Sequence, residues 1–241
     1  KASVPDIIAL QVPVGAFKTG DFFVYFVDFN TQQDFGRSVS FIHSKDGGKT
    51  WNTKKKIVVS NKSNKGGVFD PSLVQLADGK LRLYFFGSET LGDPFMETGA
   101  HKVYSAISSD GINFKVEPGV RFSAEKLTDP EVVSFNGKWH MYYSLVTQSS
   151  LATSDDGLTF TAKPITGGNA GGIPGALSLP TGVRIYGCQD SIASAISSDG
   201  INFTKDVNSV FSSSRKGLIC DPSIVKTSNG GYAIVYKFQA K

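Results

Sequence analysis

A short turn pattern, Asp-Gly followed by an aromatic residue, recurs four times along the 241 residues. The copies are Ser44–Trp51, Ser109–Phe114, Asp155–Phe160 and Ser198–Phe203, and each follows a stretch of alternating apolar and polar residues. In such a turn the Ser and Asp side chains bond backbone groups, Gly supplies the positive φ angle, and the aromatic side chain enters the core. The pattern therefore predicts hairpin turns with aromatic anchors and limits the chain to a β fold.

A second pattern, a Pro followed by an apolar strand and a Gly turn, lies upstream of these turns. Three clear copies open on Asp-Pro and two weaker copies lack the Asp: Asp70-Pro71, Asp129-Pro130, Asp221-Pro222, Val12-Pro13 and Ile173-Pro174. An apolar, β-rich strand follows every Gly turn. Four antiparallel strands repeated every 40 to 60 residues or so are typical of β-propeller blades.

We therefore predict an all-β fold, a five-bladed β-propeller in a single domain of residues 1–241. The blades are expected at about residues 11–60, 68–120, 127–165, 172–210 and 218–241. The fifth repeat stops after its second strand, which would leave an open sheet edge. Residues 1–10 are expected to pair into that last blade and close the ring.

Charge and hydropathy exclude two classes of partner. Lys and Arg number 25 and Asp and Glu 21, so the net charge of +4 is too mild for a dedicated nucleic-acid binder. The longest apolar run, residues 22–27, is far too short to span a bilayer. The chain begins at Lys1 without an initiator Met, as in a processed or trimmed chain, and we expect an extracellular or periplasmic monomer.

The two repeats also resemble known families. The four turns resemble the Asp-box of sialidases and bacterial-neuraminidase-repeat proteins, whose full form Ser-x-Asp-x-Gly-x-Thr-Trp is complete only in Ser44–Trp51. The Asp-Pro strand openings in five blades are similar to the five-bladed glycosidases of the arabinanase, xylosidase, invertase and levansucrase group. The resemblance covers nearly the whole chain at the level of the fold, and it implies a carbohydrate substrate.

Four carboxyl groups are the candidate catalytic residues. Asp70, Asp129 and Asp221 open innermost strands and should converge on the axial channel, and alternation along a strand adds Glu131 on the face of Asp129. Repulsion between neighbouring carboxylates raises the pKa of one of them, and glycoside cleavage needs one protonated and one ionised carboxyl. A glycoside hydrolase-like reaction is thus predicted. The alternative is that Asp-Pro is a strand-entry device whose carboxylate caps backbone amides.

The sequence departs from the glycosidase pattern in two places. That family implies an Asp at the first blade and a Glu on a later one, whereas Val12 and Gly175 occupy these positions in this chain. The departures favour a rival function, a non-catalytic propeller that binds a glycan or a protein through the long loops of blades one and two. Phe35, Phe95 and His101 are the candidate binding residues of that region.

The sialidase resemblance suggests a third function, a sialidase-like exo-glycosidase. It implies three Arg residues that clamp a substrate carboxylate, and Arg37, Arg121 and Arg215 fall on connections at the side where the inner strands begin.

The two cysteines have no metal-ligand spacing. Cys188 and Cys220 lack a CxxC pattern and a nearby His, so a zinc site is excluded, and two buried thiols are favoured over a disulfide. No cofactor is predicted, although carboxylate oxygens gathered at the axis would suit calcium.

Overall fold

The computed structural model describes residues 2–29, 38–60, 67–87, 100–188, 191–208, 211–212 and 217–240. Within these ranges every regular element is a β-strand, and the sheets are arranged as a β-propeller, so the all-β propeller prediction is confirmed. No helix with the length and apolar character needed to cross a bilayer occurs in the described part of the chain.

Two sheets have four strands in simple sequence order. The first contains β1 (Ala2–Ala9), β2 (Phe22–Asp28), β3 (Ser38–Ser44) and β4 (Lys55–Lys56). The third contains β11 (Leu127–Phe135), β12 (Lys138–Leu145), β13 (Gln148–Ser154) and β14 (Thr161–Lys163).

Two sheets also take in a short strand from the preceding connection, which pairs in parallel with the outermost strand. The second contains β5 (Val58–Ser60), β6 (Phe69–Gln75), β7 (Leu81–Gly87), β8 (Ala100–Ser108), β9 (Asn113–Val116) and β10 (Phe122–Glu125). The fourth contains β15 (Thr166–Gly167), β16 (Gly172–Leu179), β17 (Gly182–Cys188), β18 (Ile192–Ser197) and β19 (Asn202–Lys205).

The predicted number of blades is wrong, because the described residues form four blades rather than five. The last repeat supplies only a two-stranded sheet of β20 (Gly217–Lys226) and β21 (Tyr232–Ala240). The predicted ring closure is wrong as well. β1 pairs antiparallel with β2 of its own sheet, with Ile7 opposite Val24, and does not enter the last sheet.

The two-stranded sheet is held in the ring by side-chain packing and a disulfide. Ile7 and Phe22 of the first sheet pack with Val225 and Val235, and Tyr186 of the fourth sheet packs with Ile224. Similar apolar clusters join the other neighbouring sheets face to face. A disulfide joins Cys188 on β17 to Cys220 on β20, so the prediction of two buried thiols is wrong. The cysteines are 32 residues apart in sequence, and only the ring brings them together.

The innermost strands share one irregular opening. Each contains the sequence X-Pro-Y, where the pairing register shifts and residue X has a positive φ angle: Val4 (46°), Asp70 (49°), Asp129 (50°), Ile173 (52°) and Asp221 (53°). The first inner strand is therefore the one containing Val4-Pro5-Asp6. Val12-Pro13, predicted for this role, lies in the connection between β1 and β2.

The recurrent turns have the predicted aromatic anchors. In the third sheet, the Ser154 hydroxyl donates to Asp156, whose Oδ1 accepts the backbone N–H groups of Leu158 (2.7 Å) and Thr159 (2.9 Å). These donors lower the pKa of Asp156 to about 2. Phe160 is 7% exposed and belongs to the core. The turn carboxylates are thus committed to their own backbone, while their identity as Asp-boxes stays a prediction.

Candidate functional site

An open cavity lies where the innermost strands begin. Its volume is about 300 Å³, and it is lined by residue X of every inner strand together with neighbouring side chains. Three carboxylates, Asp70, Asp129 and Asp221, face apolar walls that include Phe29 and Phe69. The cavity therefore combines carboxylates with an apolar surface on which a ring-shaped ligand can pack.

Two of the three carboxylates accept backbone hydrogen bonds from a neighbouring inner strand. The N–H group of Asp129 donates to Asp70 Oδ2 at 3.3 Å, and the N–H group of Val4 donates to Asp221 Oδ2 at 3.0 Å. In both pairs an X carboxylate accepts a hydrogen bond from the X position of the following inner strand. The positive φ angle at X thus places these side chains where they both line the cavity and join adjacent inner strands.

Asp221 is the most enclosed of the three carboxylates, with 2% of its surface exposed. Its Oδ2 accepts from the Ser3 hydroxyl at 2.8 Å and forms an ion pair with Lys237 Nζ at 2.8 Å. Its backbone N–H lies 3.1 Å from Cys188 Sγ in the disulfide. Its Oδ1 is buried without a hydrogen-bond partner among the described residues.

Asp129 is the carboxyl most suited to exchange a proton. It is partly exposed to the cavity, and its Oδ2 accepts a hydrogen bond from the Thr128 hydroxyl at 2.7 Å. Loss of solvation raises the pKa of Asp129 to about 6, and the negative charge of Asp221 acts in the same direction. Asp129 is therefore about half protonated at pH 6 and carries a proton in about a tenth of the molecules at pH 7.

A ring of prolines separates this cavity from the opposite face. The constriction has a volume of about 10 Å³, enough for about one water molecule. It is lined by Pro5, Pro71, Pro130, Pro174 and Pro222, one from each inner strand. A second open depression, of about 380 Å³, lies on the far side of this ring.

Glu131 does not line the same cavity as the three Asp residues. It lines the constriction and the far depression. Asp6 also lines the far depression, and its negative charge acts on the Glu131 carboxyl group. The register shift at Pro130 breaks the simple alternation that would place Glu131 on the face of Asp129. Burial, together with the charge of Asp6, raises the pKa of Glu131 well above its ordinary value.

Residues at position Y join neighbouring inner strands by hydrogen bonds. Glu131 Oε1 accepts the N–H of Ala176 at 3.2 Å, and Asp6 Oδ2 accepts the N–H of Leu73 at 2.6 Å. Ser72 and Ser223 make equivalent contacts with Val132 and Ile7. Gly175 interrupts the series, since a Cβ there would lie 2.1 Å from the carbonyl oxygen of Pro222. The fold therefore leaves no room for an acidic side chain at this position.

Two of the other predicted binding residues have structural partners. His101 is buried, with Nδ1 2.6 Å from the carbonyl oxygen of Leu127, and does not line the cavity. The Arg121 guanidinium donates to the carbonyl oxygens of Gly119 (2.9 Å), Pro118 and Leu158 (3.2 Å). Phe35, Phe95, Arg37 and Arg215 lie outside the described residues.

Sequence reasoning missed several contributors to the cavity, among them Val4 and Lys237. Val4-Pro5 shares the X-Pro sequence but lies too far from the turn Gly20 to fit the repeat, which selects Val12-Pro13. Lys237 comes from β21, where no motif marks it, and its position depends on the packing of the last sheet beside β1.

The described side chains do not form a metal site. The only group of three neighbouring ligand atoms among them comes from Cys188, Cys220 and Asp221, and the two sulfurs are joined in the disulfide. Asp70, Asp129 and Asp221 are not gathered into such a group, and Lys237 already pairs with Asp221. This arrangement does not support the suggested calcium ion.

Comparison with known proteins identifies the fold. No family model matches the chain, and no curated protein matches it significantly. Among solved structures, a thermostable family-43 glycoside hydrolase has a TM-score of 0.71 at 13% identity, covering 99% of this chain and 84% of that chain. The α-L-arabinanase of Cellvibrio cellulosa complexed with arabinohexaose has a TM-score of 0.67 at 10% identity, covering 98% and 86%.

A sialidase of Trypanosoma rangeli is also similar, with a TM-score of 0.60 at 12% identity, covering 100% of this chain and 53% of that chain. The chain thus has a β-propeller fold that is shared with glycoside hydrolases and a sialidase. At these identities the likeness concerns the fold alone.

Proposed function

We propose that this protein acts on a glycan in the cavity at the start of the inner strands, as a glycoside hydrolase-like protein. The observation that carries the proposal is the convergence of Asp70, Asp129 and Asp221 on one open cavity with apolar walls. Asp129, with a pKa of about 6, donates the proton to the leaving oxygen. As the bond to the leaving oxygen breaks, a water molecule attacks the anomeric carbon, and Asp70, which lines the same cavity, takes the proton that the water loses. Asp221 acts indirectly, since its negative charge raises the pKa of Asp129.

The test is hydrolysis of a panel of aryl glycosides and oligosaccharides. Asp129→Asn should lower turnover by about 100-fold or more, because the amide cannot donate a proton as the acid does. Activity of the native protein should fall as the pH rises above about 6, as Asp129 loses its proton. The matched control, Asp156→Asn, changes an exposed turn carboxylate and should retain activity.

Glu131 remains a catalytic candidate, and a second variant separates it from Asp129. Glu131→Gln keeps an oxygen that can accept the Ala176 N–H, so it preserves the contact between inner strands. Turnover that survives in Glu131→Gln and is lost in Asp129→Asn assigns the proton to Asp129. The reverse result assigns it to Glu131 and contradicts the role proposed for Asp129.

A specific observation favours a second function, glycan binding without turnover. Val4 and Ile173 occupy position X in the first and fourth inner strands, so two of the positions that could hold a carboxylate are apolar. Glycan binding by the native protein and by Asp129→Asn, with no turnover in either, would establish this function. The sialidase-like function has less support, since Arg121 is engaged by backbone carbonyl groups.

The cellular setting belongs to the same proposal. Disulfides persist in oxidising compartments, so the link between Cys188 and Cys220 supports an extracellular or periplasmic location. A carbohydrate partner and a monomeric state complete the proposal, and light scattering of the purified protein tests the latter.

A further inference from the structure

Lys237 is the one cationic side chain among the described residues that line the carboxylate cavity. Its Nζ lies 2.8 Å from Asp221 Oδ2 and donates to the Ser3 hydroxyl oxygen at 3.2 Å. The side chain is 26% exposed, whereas the side chain of Asp221 is 1% exposed. Lys237 thus lies between solvent and a buried carboxylate.

Asp221 needs this cation more than an exposed carboxylate would. Removing one partner of a buried ion pair leaves an uncompensated charge, which is strongly destabilising. The other donors to Asp221 Oδ2 are neutral, the Ser3 hydroxyl and the Val4 N–H. Lys237 therefore supplies the only full positive charge in contact with Asp221 among the described residues.

We propose that Lys237 is a positioning residue of the cavity, which fixes the Asp221 carboxylate in place and offsets its negative charge beside Asp129, the carboxyl that exchanges a proton. The inference rests on the proposed function, because it gives Asp129 and Asp221 different roles in the same reaction. The ion pair joins β21 to β20 at the cavity, and Lys237 also donates a hydrogen bond to Ser3 of β1. These contacts bring β21 into the site.

The groups that face Asp129 determine the expected effect. Asp70 approaches from β6, Asp221 from β20 and Lys237 from β21, while the Thr128 and Ser144 hydroxyl groups bond the carboxylate. The remaining inner strands, β1 and β16, contribute Val4 and Ile173, which do not titrate. Asp221 raises the pKa of Asp129 and Lys237 lowers it, so removing the lysine charge should raise that pKa.

The experiment is a carbon-13 NMR titration of the Asp carboxyl groups in the ligand-free protein, with the Asp129 signal assigned from Asp129→Asn. In Lys237→Met the Asp129 midpoint should rise by about half a pH unit or more. Lys237→Arg keeps the charge and should restore the native midpoint. Lys226→Met, on β20 beside the far depression, is the matched control and should leave it unchanged.

A double variant keeps the test decisive if Lys237→Met does not fold. Asp221→Asn alone should lower the Asp129 midpoint, and adding Lys237→Met leaves no buried charge without a partner. The Asp129 midpoint of this double variant should lie above that of Asp221→Asn, because the lysine charge that lowers the pKa is gone. An unmoved midpoint in folded Lys237→Met, or an equal shift in Lys226→Met, would overturn the proposal. The titration contains no substrate, so that result does not contradict the proposed function. A protein that shows the shift but neither binds nor cleaves glycans refutes only the proposed function.

Discussion

The side chain at position X of each inner strand decides the chemistry of the cavity, because the fold fixes the backbone at that position. Val4 and Ile173 adopt the same positive φ angle as Asp70, Asp129 and Asp221. β-Branched residues rarely take this conformation, so the surrounding structure must impose it. The strained backbone is therefore a property of the inner strands, and the three Asp residues are the ones that place carboxyl groups there.

Buried acids in the inner strands give folding stability a specific pH dependence. Burial raises the pKa of Asp6 to about 7, above its ordinary value near 3.8. A group whose pKa is raised by folding stabilises the fold while it is protonated, and this contribution is lost as the pH rises through the folded-state value. The free energy of unfolding should therefore fall between pH 5 and 8, by an amount on the order of 2 kcal/mol.

Asp6→Asn should remove much of that decline, because Asn stays neutral and its oxygen can accept the Leu73 N–H. Urea unfolding of the native and variant proteins at pH 5 and pH 8 measures the difference. Asp156→Asn is the control, since backbone donors lower the pKa of Asp156 to about 2 and its titration lies outside this range. An equal decline in Asp6→Asn and the native protein would exclude Asp6 as its source.

At the scale of elements, the recurrent turns connect neighbouring sheets. The hydroxyl group of a second-strand tyrosine donates to the turn glycine of the next sheet in three places: Tyr25 to Gly111 (2.7 Å), Tyr84 to Gly157 (2.8 Å) and Tyr142 to Gly200 (2.8 Å). The glycine is needed for its positive φ angle and for the close approach of the tyrosine. Each turn therefore belongs to the interface between two sheets.

Gly157→Ala should destabilise the protein by about 1–3 kcal/mol and lower its melting temperature by several degrees. The φ angle is 71°, and an added Cβ would lie 3.0 Å from the Tyr84 hydroxyl oxygen. Gly137→Ala is a matched control, because its φ angle is 72° and no atom lies within 4 Å of the added Cβ. Calorimetry should show the larger loss at Gly157, and equal losses would mean that only the backbone angle matters.

Local patterns in the sequence identify the turns but not the pairing of the inner strands. Asp156 bonds residues two and three positions away, so a short window contains the whole interaction. Val12-Pro13 precedes Gly20 by about the same number of residues as Asp129-Pro130 precedes Gly137, so the repeat pattern places the first inner strand at Val12 rather than at Val4. The register shift at Pro130 has a local cause, since Pro offers no N–H group to the ladder, but the separation of Asp129 from Glu131 emerges only in the pairing with β12.

At the scale of the whole molecule, the last sheet of the ring has the fewest strands among the described residues. β20 and β21 have no further strand of their own among the described residues, and most of β21 is only half-buried or exposed. Long-range contacts tie this sheet to both neighbours: the disulfide to β17, and the Ser3 and Val4 contacts of Asp221 to β1. Integrity of the ring and order in the cavity therefore depend on the same residues.

Removing the disulfide should loosen the last sheet before the rest of the propeller. A cross-link closing a segment of 32 residues contributes about 4 kcal/mol on the chain-entropy model. Replacing both Cys188 and Cys220 by Ser should lower the melting temperature and speed hydrogen exchange in β20 and β21, while β12 and β13 stay protected. Dithiothreitol should reproduce this in the native protein and leave the double variant unchanged. Because Asp221 and Lys237 lie on the loosened strands, the proposed glycan binding should weaken in parallel. If exchange quickened equally in all sheets of the double variant, or did not quicken in β20, packing alone would hold the last sheet.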